Sequence, residues 1–181
     1  MNLHHLAIMK LISNLSQKIF LKRFLQVIAN WFYIGKLKPA PGTWATLSTL
    51  PLALLLNKCG PFYHMFAIFI LLLLGIVAAD FYEKEFNVAD NSEIVIDEVV
   101  GFLITMLWLP STWQAYAFGF VLFRLLDIFK PFPIGYLDKK VKGGMGVMVD
   151  DIAAGMIANI LLQQLYIHTS LLGAQIVFIN S

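Results

Sequence analysis

Apolar residues fall along this chain in five blocks, at 44–56, 62–79, 94–109, 113–129 and 147–166, parted by stretches rich in charge, glycine and proline. The second block is the plainest, with 68–77 almost wholly aliphatic. Several blocks fall short of the roughly 20 residues that cross a bilayer upright, which predicts tilted or partly immersed helices in a compact bundle. Ahead of them, 10–32 reads as an amphipathic helix. Leu11, Leu15, Ile19, Phe24, Ile28 and Phe32 recur at helical spacing, and Lys10, Asn14, Gln17, Lys18, Lys22 and Arg23 fall mostly between them. A basic helix of this kind suits a membrane interface, and an ordinary packing helix has the same pattern. Gly35, Pro39, Pro41 and Gly42 make 33–42 a loop, and a last apolar stretch at 171–179 is too short to span. The predicted fold is therefore all-α: a compact, membrane-associated multi-helix bundle of about five apolar helices, with 1–34 as an interfacial helix and 35–181 as the helical domain.

Composition sharpens the membrane reading. Hydrophobic residues make up 59% of the 181 and charged residues 13%, against roughly 45–50% and about 25% in ordinary soluble domains. A net charge of +2 gives no reason to expect a nucleic-acid partner. The single cysteine, Cys59, rules out an internal disulfide and a thiolate zinc site. The N-terminus lacks the form of a cleaved signal peptide, since the apolar run 6–9 is short and meets Lys10.

Charge placement is the next signal. If the blocks alternate across a bilayer, the loops at 33–43, 80–93 and 130–146 share one face. All eleven acidic residues lie in those loops or at the helix ends beside them, and so do twelve of the thirteen Lys and Arg, leaving Lys58 opposite. The positive-inside rule makes that face cytoplasmic. Insertion topology explains the lysines but not the carboxylates that enter apolar segments.

Those carboxylates come from three blocks. IVIDEVVG at 94–101 sets Asp97 and Glu98 in an apolar helix, where a carboxylate is costly unless paired or bound to a cation. Gly101, four residues after Asp97, lets another helix approach that face. In FRLLDIFKP at 123–131, Arg124, Asp127 and Lys130 recur every three residues on one face; alone, this also reads as an ion pair at the interface. Asp150 and Asp151 follow Gly143-Gly-Met-Gly146. First-turn acids complement the helix dipole, which accounts for one of them, and the glycines read either as a tight turn or as a phosphate approach. Five carboxylates gathered at one face repel strongly in a low dielectric, and a bound cation resolves this. All-oxygen ligands favour Mg²⁺ over zinc. His4 and His5 are terminal, and His64 and His168 belong to the other face, which removes histidine phosphatases and zinc hydrolases. Arg124, Lys130 and Lys142 offer charge to an anionic substrate.

On these residues the chain resembles bacterial phosphatidylglycerophosphatase A. The likeness covers about 35–166 and rests on Pro41-Gly-Thr43 with the later Pro51, IVIDEVVG at 94–101, FRLLDIFKPFPI at 123–134 and GGMGVMVDDIAAG at 143–155. It implies a magnesium-dependent lipid phosphatase of the inner membrane, which hydrolyses phosphatidylglycerol phosphate to phosphatidylglycerol and inorganic phosphate. It also implies an all-α bundle with one helix largely surrounded by others. Asp97, Glu98, Asp127, Asp150 and Asp151 become active-site residues and Mg²⁺ ligands. Arg124 and Lys130 are expected to hold phosphate, and Thr43 to bond phosphate or to cap a helix. The chain departs from the family in reading Trp44-Ala-Thr46 where small Gly-Ser residues are common. A CDP-alcohol phosphotransferase is disfavoured, because its spaced aspartate pattern is absent from any one stretch. A divalent-cation transporter would place acids through the membrane depth, and a structural subunit would leave five costly carboxylates unexplained.

Overall fold

In the computed structural model, the described residues are 3–88 and 91–173, with side chains from Leu15 onward. They form seven α-helices and no strand: α1 Leu3–Ala29, α2 Pro41–Cys59, α3 Pro61–Phe86, α4 Ile96–Thr105, α5 Trp113–Phe129, α6 Ile134–Lys140 and α7 Gly143–His168. A single 3-10 turn, Ile34–Lys36, lies in the loop expected at 33–42. The apolar stretch at 171–179 falls mostly outside the described residues.

Helix α4 is the centre of the bundle. Ile96, Val99, Val100, Gly101, Phe102, Leu103 and Thr105 are all buried, and α2, α3, α5 and α7 pack around it. The expected helix at 94–109 is thus corrected to ten residues. Two features end it early. Trp108 takes a left-handed φ of 61°, and α7 captures the last carbonyls: Asn159 Nδ2 donates to Thr105 O at 2.9 Å and to Leu107 O at 2.8 Å. Carbonyls at a helix end need such outside partners, above all where water is excluded. A ten-residue helix is about 15 Å long and cannot cross a bilayer.

Among the described residues, two helices are long and apolar enough to cross a membrane, α3 and α7. Only 22% of the most apolar stretch of α3 is buried, so it is no core helix shielded from solvent. Phe62, Phe66, Phe69, Leu73 and Val77 stand exposed along it, the pattern expected of a lipid-facing surface. Proline opens both α2 and α3 at the first helical position, where its missing N–H costs nothing. Left-handed Asn87 closes α3, and left-handed Lys130 closes α5 just before Pro131. The segment at 130–146, read as loop, contains α6, held between Pro133 and the extended Val141.

The predicted apolar stripe of the N-terminal helix is only partly turned inward. Leu15, Ile19 and Phe24 are exposed, whereas Leu25, Ile28 and Ala29 are buried against α3. Lys22 pairs with Glu85 of α3. After Ala29 the chain turns through Trp31, Phe32 and Tyr33, all at positive φ. Buried Asn30 supports that turn by accepting the Tyr33 N–H on Oδ1 at 2.9 Å.

The α4–α7 crossing is made close by a glycine on each helix. A Cβ on Gly155 would lie 2.3 Å from Gly101 O, and one on Gly101 would lie 2.7 Å from Asp151 O. Neither backbone can yield, so Gly155→Leu is expected to cost about 1–3 kcal/mol or more. Met156→Ala, one residue along on an exposed position, should shift the unfolding midpoint in detergent by far less; thermal scans of both variants check this.

Candidate functional site

The polar end of the bundle is built from four helix termini. Asp97 and Glu98 occupy the first turn of α4. Arg124 and Asp127 lie in the last turns of α5, followed by Lys130 at its cap. Gly42 lies in the first turn of α2. Asp150 and Asp151 lie in α7, and here the expectation needs correction. Helix α7 begins at Gly143, so no acid lies in its first turn, and the dipole does not account for either aspartate. The glycines are not a free phosphate loop either. They form the start of the helix, and a Cβ on Gly144 would meet Ile76 O at 2.1 Å, so this glycine lets α7 approach α3.

The carboxylates expected from separate blocks do converge. Asp97, Glu98 and Asp151 each offer an oxygen within 4.8 Å of the others. Asp97 stands one turn before Gly101, and Asp151 one turn before Gly155. Both helices start at the same end, so the glycine contact sets the two aspartates side by side. Like charges at such a separation repel by about 3–4 kcal/mol per pair at an effective dielectric of ~20. Burial, then the neighbouring Glu98 and Asp151, pushes the Asp97 carboxyl well above the usual carboxylate range.

Two cations flank the cluster. Arg124 Nη1 lies 2.5 Å from Asp127 Oδ2 and 3.6 Å from Glu98 Oε1, with all three side chains 13–15% exposed. Lys130 Nζ bonds Asp150 Oδ2 at 2.5 Å and Asp138 Oδ1 at 2.9 Å. Burial alone would lower the Lys130 ammonium, but the two carboxylates outweigh it and hold the group above its ordinary range. These pairs leave much unsatisfied. Asp97 Oδ1, Glu98 Oε2, Asp150 Oδ1, Asp151 Oδ2 and Arg124 Nε are buried without a hydrogen-bond partner. Orphaned oxygens of this kind are costly in a settled core. Clustered around a cavity, they fit a hard divalent cation, which takes oxygen ligands. The cavity is about 260 Å³ and is lined by all five predicted carboxylates together with Arg124 and Lys130.

Of the other predicted residues, Thr43 lies in the first turn of α2 outside the cavity lining. Its reading as a helix N-cap is corrected: Ala40 holds that position, at a left-handed φ of 58°. Lys142 lines a separate surface cleft with Glu83 and Asp138. Sequence reasoning missed Gly42, Asn91, Ser92 and Asp138. Gly42 was foreshadowed only by its Pro-Gly turn, and its reason is spatial: a Cβ there would fall 1.8 Å from Glu98 Oε1 and 3.1 Å from Arg124 Nη1. Asp138 sits on the unforeseen α6 and reaches Lys130 from there.

A helical, membrane-associated bundle thus gathers at one end two basic side chains and an acidic cluster that could hold a metal ion, an arrangement that fits a phosphatase. The comparisons with known proteins agree. The family model described as phosphatidylglycerophosphatase A matches residues 27–166, and the chain belongs to this family. It is 39% identical over 154 residues to phosphatidylglycerophosphatase A of Haemophilus influenzae, covering 83% of this chain and 93% of that one. It is 37% identical over 133 residues to phosphatidylglycerophosphatase A of Escherichia coli, covering 73% and 77%. No solved structure matches the chain. The transporter reading finds no support: the far end of the bundle carries the neutral pairs Asn57–Tyr116 and Asn57–His64, and no carboxylate continues the path.

Gly42→Ala tests how tightly α2 closes on the site. Displacing Glu98 should weaken divalent-cation binding by about 10–100-fold while the thermal unfolding midpoint stays close to wild type. Titration with Mn²⁺ followed by electron paramagnetic resonance reads the first, and a thermal scan the second.

Proposed function

We propose that this protein is a magnesium-dependent phosphatidylglycerophosphatase, which hydrolyses phosphatidylglycerol phosphate to phosphatidylglycerol and inorganic phosphate. The observation that carries the reading is the carboxylate trio Asp97, Glu98 and Asp151, each with a buried oxygen that lacks a hydrogen-bond partner, beside Arg124 in a chain that belongs to this family. The residues that would hold Mg²⁺ are these three, with Asp127 and Asp150 at its edge. A bound Mg²⁺ supplies charge neutralisation on the phosphate and a more acidic attacking water.

The chain's own residues do the rest. Arg124, planar and fixed by Asp127, is placed to bind two phosphate oxygens at once. Lys130, fixed by Asp150 and Asp138, adds a second positive charge at the cavity wall. A carboxylate of the cluster takes the proton from the attacking water. Gly42 lets α2 close on Glu98 and Arg124 at the edge of the cavity. The reaction breaks the P–O bond to the glycerol and forms a P–O bond to water; the leaving alkoxide recovers a proton.

The same reading places the active site at the cytoplasmic face of a bacterial inner membrane, with the chain crossing more than once. It is supported by α3 and α7 as candidate spans and by the gathering of twelve of thirteen basic residues on one side. The N-terminal helix, with Leu15, Ile19, Phe20 and Phe24 exposed beside Lys18 and Arg23, suits a place in the head-group layer.

Phosphate release from phosphatidylglycerol phosphate in detergent micelles tests the assignment. Activity should need Mg²⁺, vanish with EDTA, and fall at least ~100-fold in folded Asp151→Asn. Release that persists in EDTA would contradict the metal assignment, and no release from folded, Mg²⁺-loaded wild type would sink the substrate. Arg124→Lys keeps the charge but loses the planar fork, so kcat/KM should still drop by about tenfold or more; unchanged kinetics would remove Arg124 from phosphate binding.

A further inference from the structure

A second, apolar cavity of about 630 Å³ lies between α2 and α5. Its walls include Leu47, Leu50 and Leu54 on α2 and Trp113, Ala117 and Val121 on α5. On each helix these residues recur every three or four positions and so share one face. Both faces lead to the carboxylate cavity. Three residues beyond Val121 is Arg124, and four before Leu47 is Thr43, next to Gly42; Arg124 and Gly42 both line the polar cavity. From Arg124 back to Trp113 the helix runs about 16 Å. The end away from Arg124 is lined by Ser111 and Thr112, where the Thr112 hydroxyl donates to Leu172 O. The Tyr116 hydroxyl, one of few polar groups in the walls, is taken up by Asn57 at 2.8 Å.

We infer that this groove holds one acyl chain of the lipid phosphomonoester whose phosphate occupies the carboxylate cavity, and that the length of its apolar walls sets a preference for chain length. The inference rests on the phosphatase reading above and extends it to the part of the substrate far from the reacting bond. A molecule with an anionic head and a hydrocarbon tail matches a polar cavity and an apolar groove that lie about one helical turn apart along the same two helices. The tail is already in lipid before it binds, so the groove gains little from hydrophobic transfer. Its effect is to orient the head group, and it should therefore appear in turnover of long-chain lipids.

Ala117 is exposed on the groove wall, so Ala117→Phe fills the space without disturbing the core. Dioleoyl phosphatidylglycerol phosphate should then be hydrolysed with kcat/KM lowered about tenfold, while the dihexanoyl lipid stays within about twofold of wild type. An equal fall for both lipids, or no change for either, would overturn the inference. A second readout does not depend on turnover. Phosphatidylglycerol phosphate with a diazirine at the acyl terminus should label 47–54 and 113–121 in wild type well above the exposed face of α3, and Ala117→Phe should remove that excess. Uniform labelling, as for bulk lipid, would contradict the groove even if phosphate is released. So would absent labelling with a dimeric mass that Ala117→Phe reduces, which marks a second copy as the occupant. Selective labelling without phosphate release from any lipid would keep the groove and sink the phosphatase reading instead.

Discussion

The contact between Gly101 and Gly155 is the constraint on which the site depends. Two helix backbones that meet at a pair of glycines are held closer than side chains allow, and in lipid such close packing is a main source of helix association. Here it has a chemical consequence. Asp97 and Asp151 stand four residues before their glycines, on helices that start at the same end, so the approach that packs α4 on α7 also presses two carboxylates together. Gly42 brings α2 against Glu98 in the same way. The stability of the crossing and the charge density of the cavity are one arrangement.

The rest of the bundle serves to make that density bearable. Arg124 and Lys130 each sit between two carboxylates, which offsets part of the repulsion and holds both cations at the cavity wall. The oxygens they do not reach remain unpartnered. Away from this end neutral polar groups pair with one another, as Asn57 does with Tyr116 and His64, and Asn159 with the end of α4. The outer surfaces of α2, α3 and α5 are apolar and exposed. Carboxylates gather at one end and hydrocarbon faces the sides, a division that suits an enzyme whose substrate has its phosphate in water and its tails in lipid.

Much of this was legible in the chain. Hydrophobic blocks placed the helices, and the excess of apolar residues over charged ones pointed to a membrane. Acids inside apolar blocks marked the site, because an ion pair with Arg124 and a helix dipole account for some of the five carboxylates but not for all of them together. What the sequence concealed was set by contacts between distant residues. Nothing local distinguishes the ten-residue α4 from a longer apolar helix, since Asn159 and Gln163 of α7 take up the carbonyls where it ends. The start of α7 was misplaced because Gly143, Gly144 and Gly146 have the composition of a loop, and only the backbone of α3 at Ile76 gives them a packing role. Helix α6 is seven residues between prolines and lysines, too short for a periodic signal, and with it went Asp138 as a partner of Lys130.

The central claim is that the fold holds Asp97, Glu98 and Asp151 in mutual repulsion for a cation to relieve. Thermal unfolding of detergent-solubilised wild type and Asp151→Asn, each in EDTA and in Mg²⁺, tests it most directly, because a ligand that binds only the folded state raises stability by mass action. Mg²⁺ should stabilise the wild type, and Asp151→Asn should be the more stable protein in EDTA and respond little to Mg²⁺. An Asp151→Asn protein less stable than wild type in EDTA, with the same response to Mg²⁺, would contradict it.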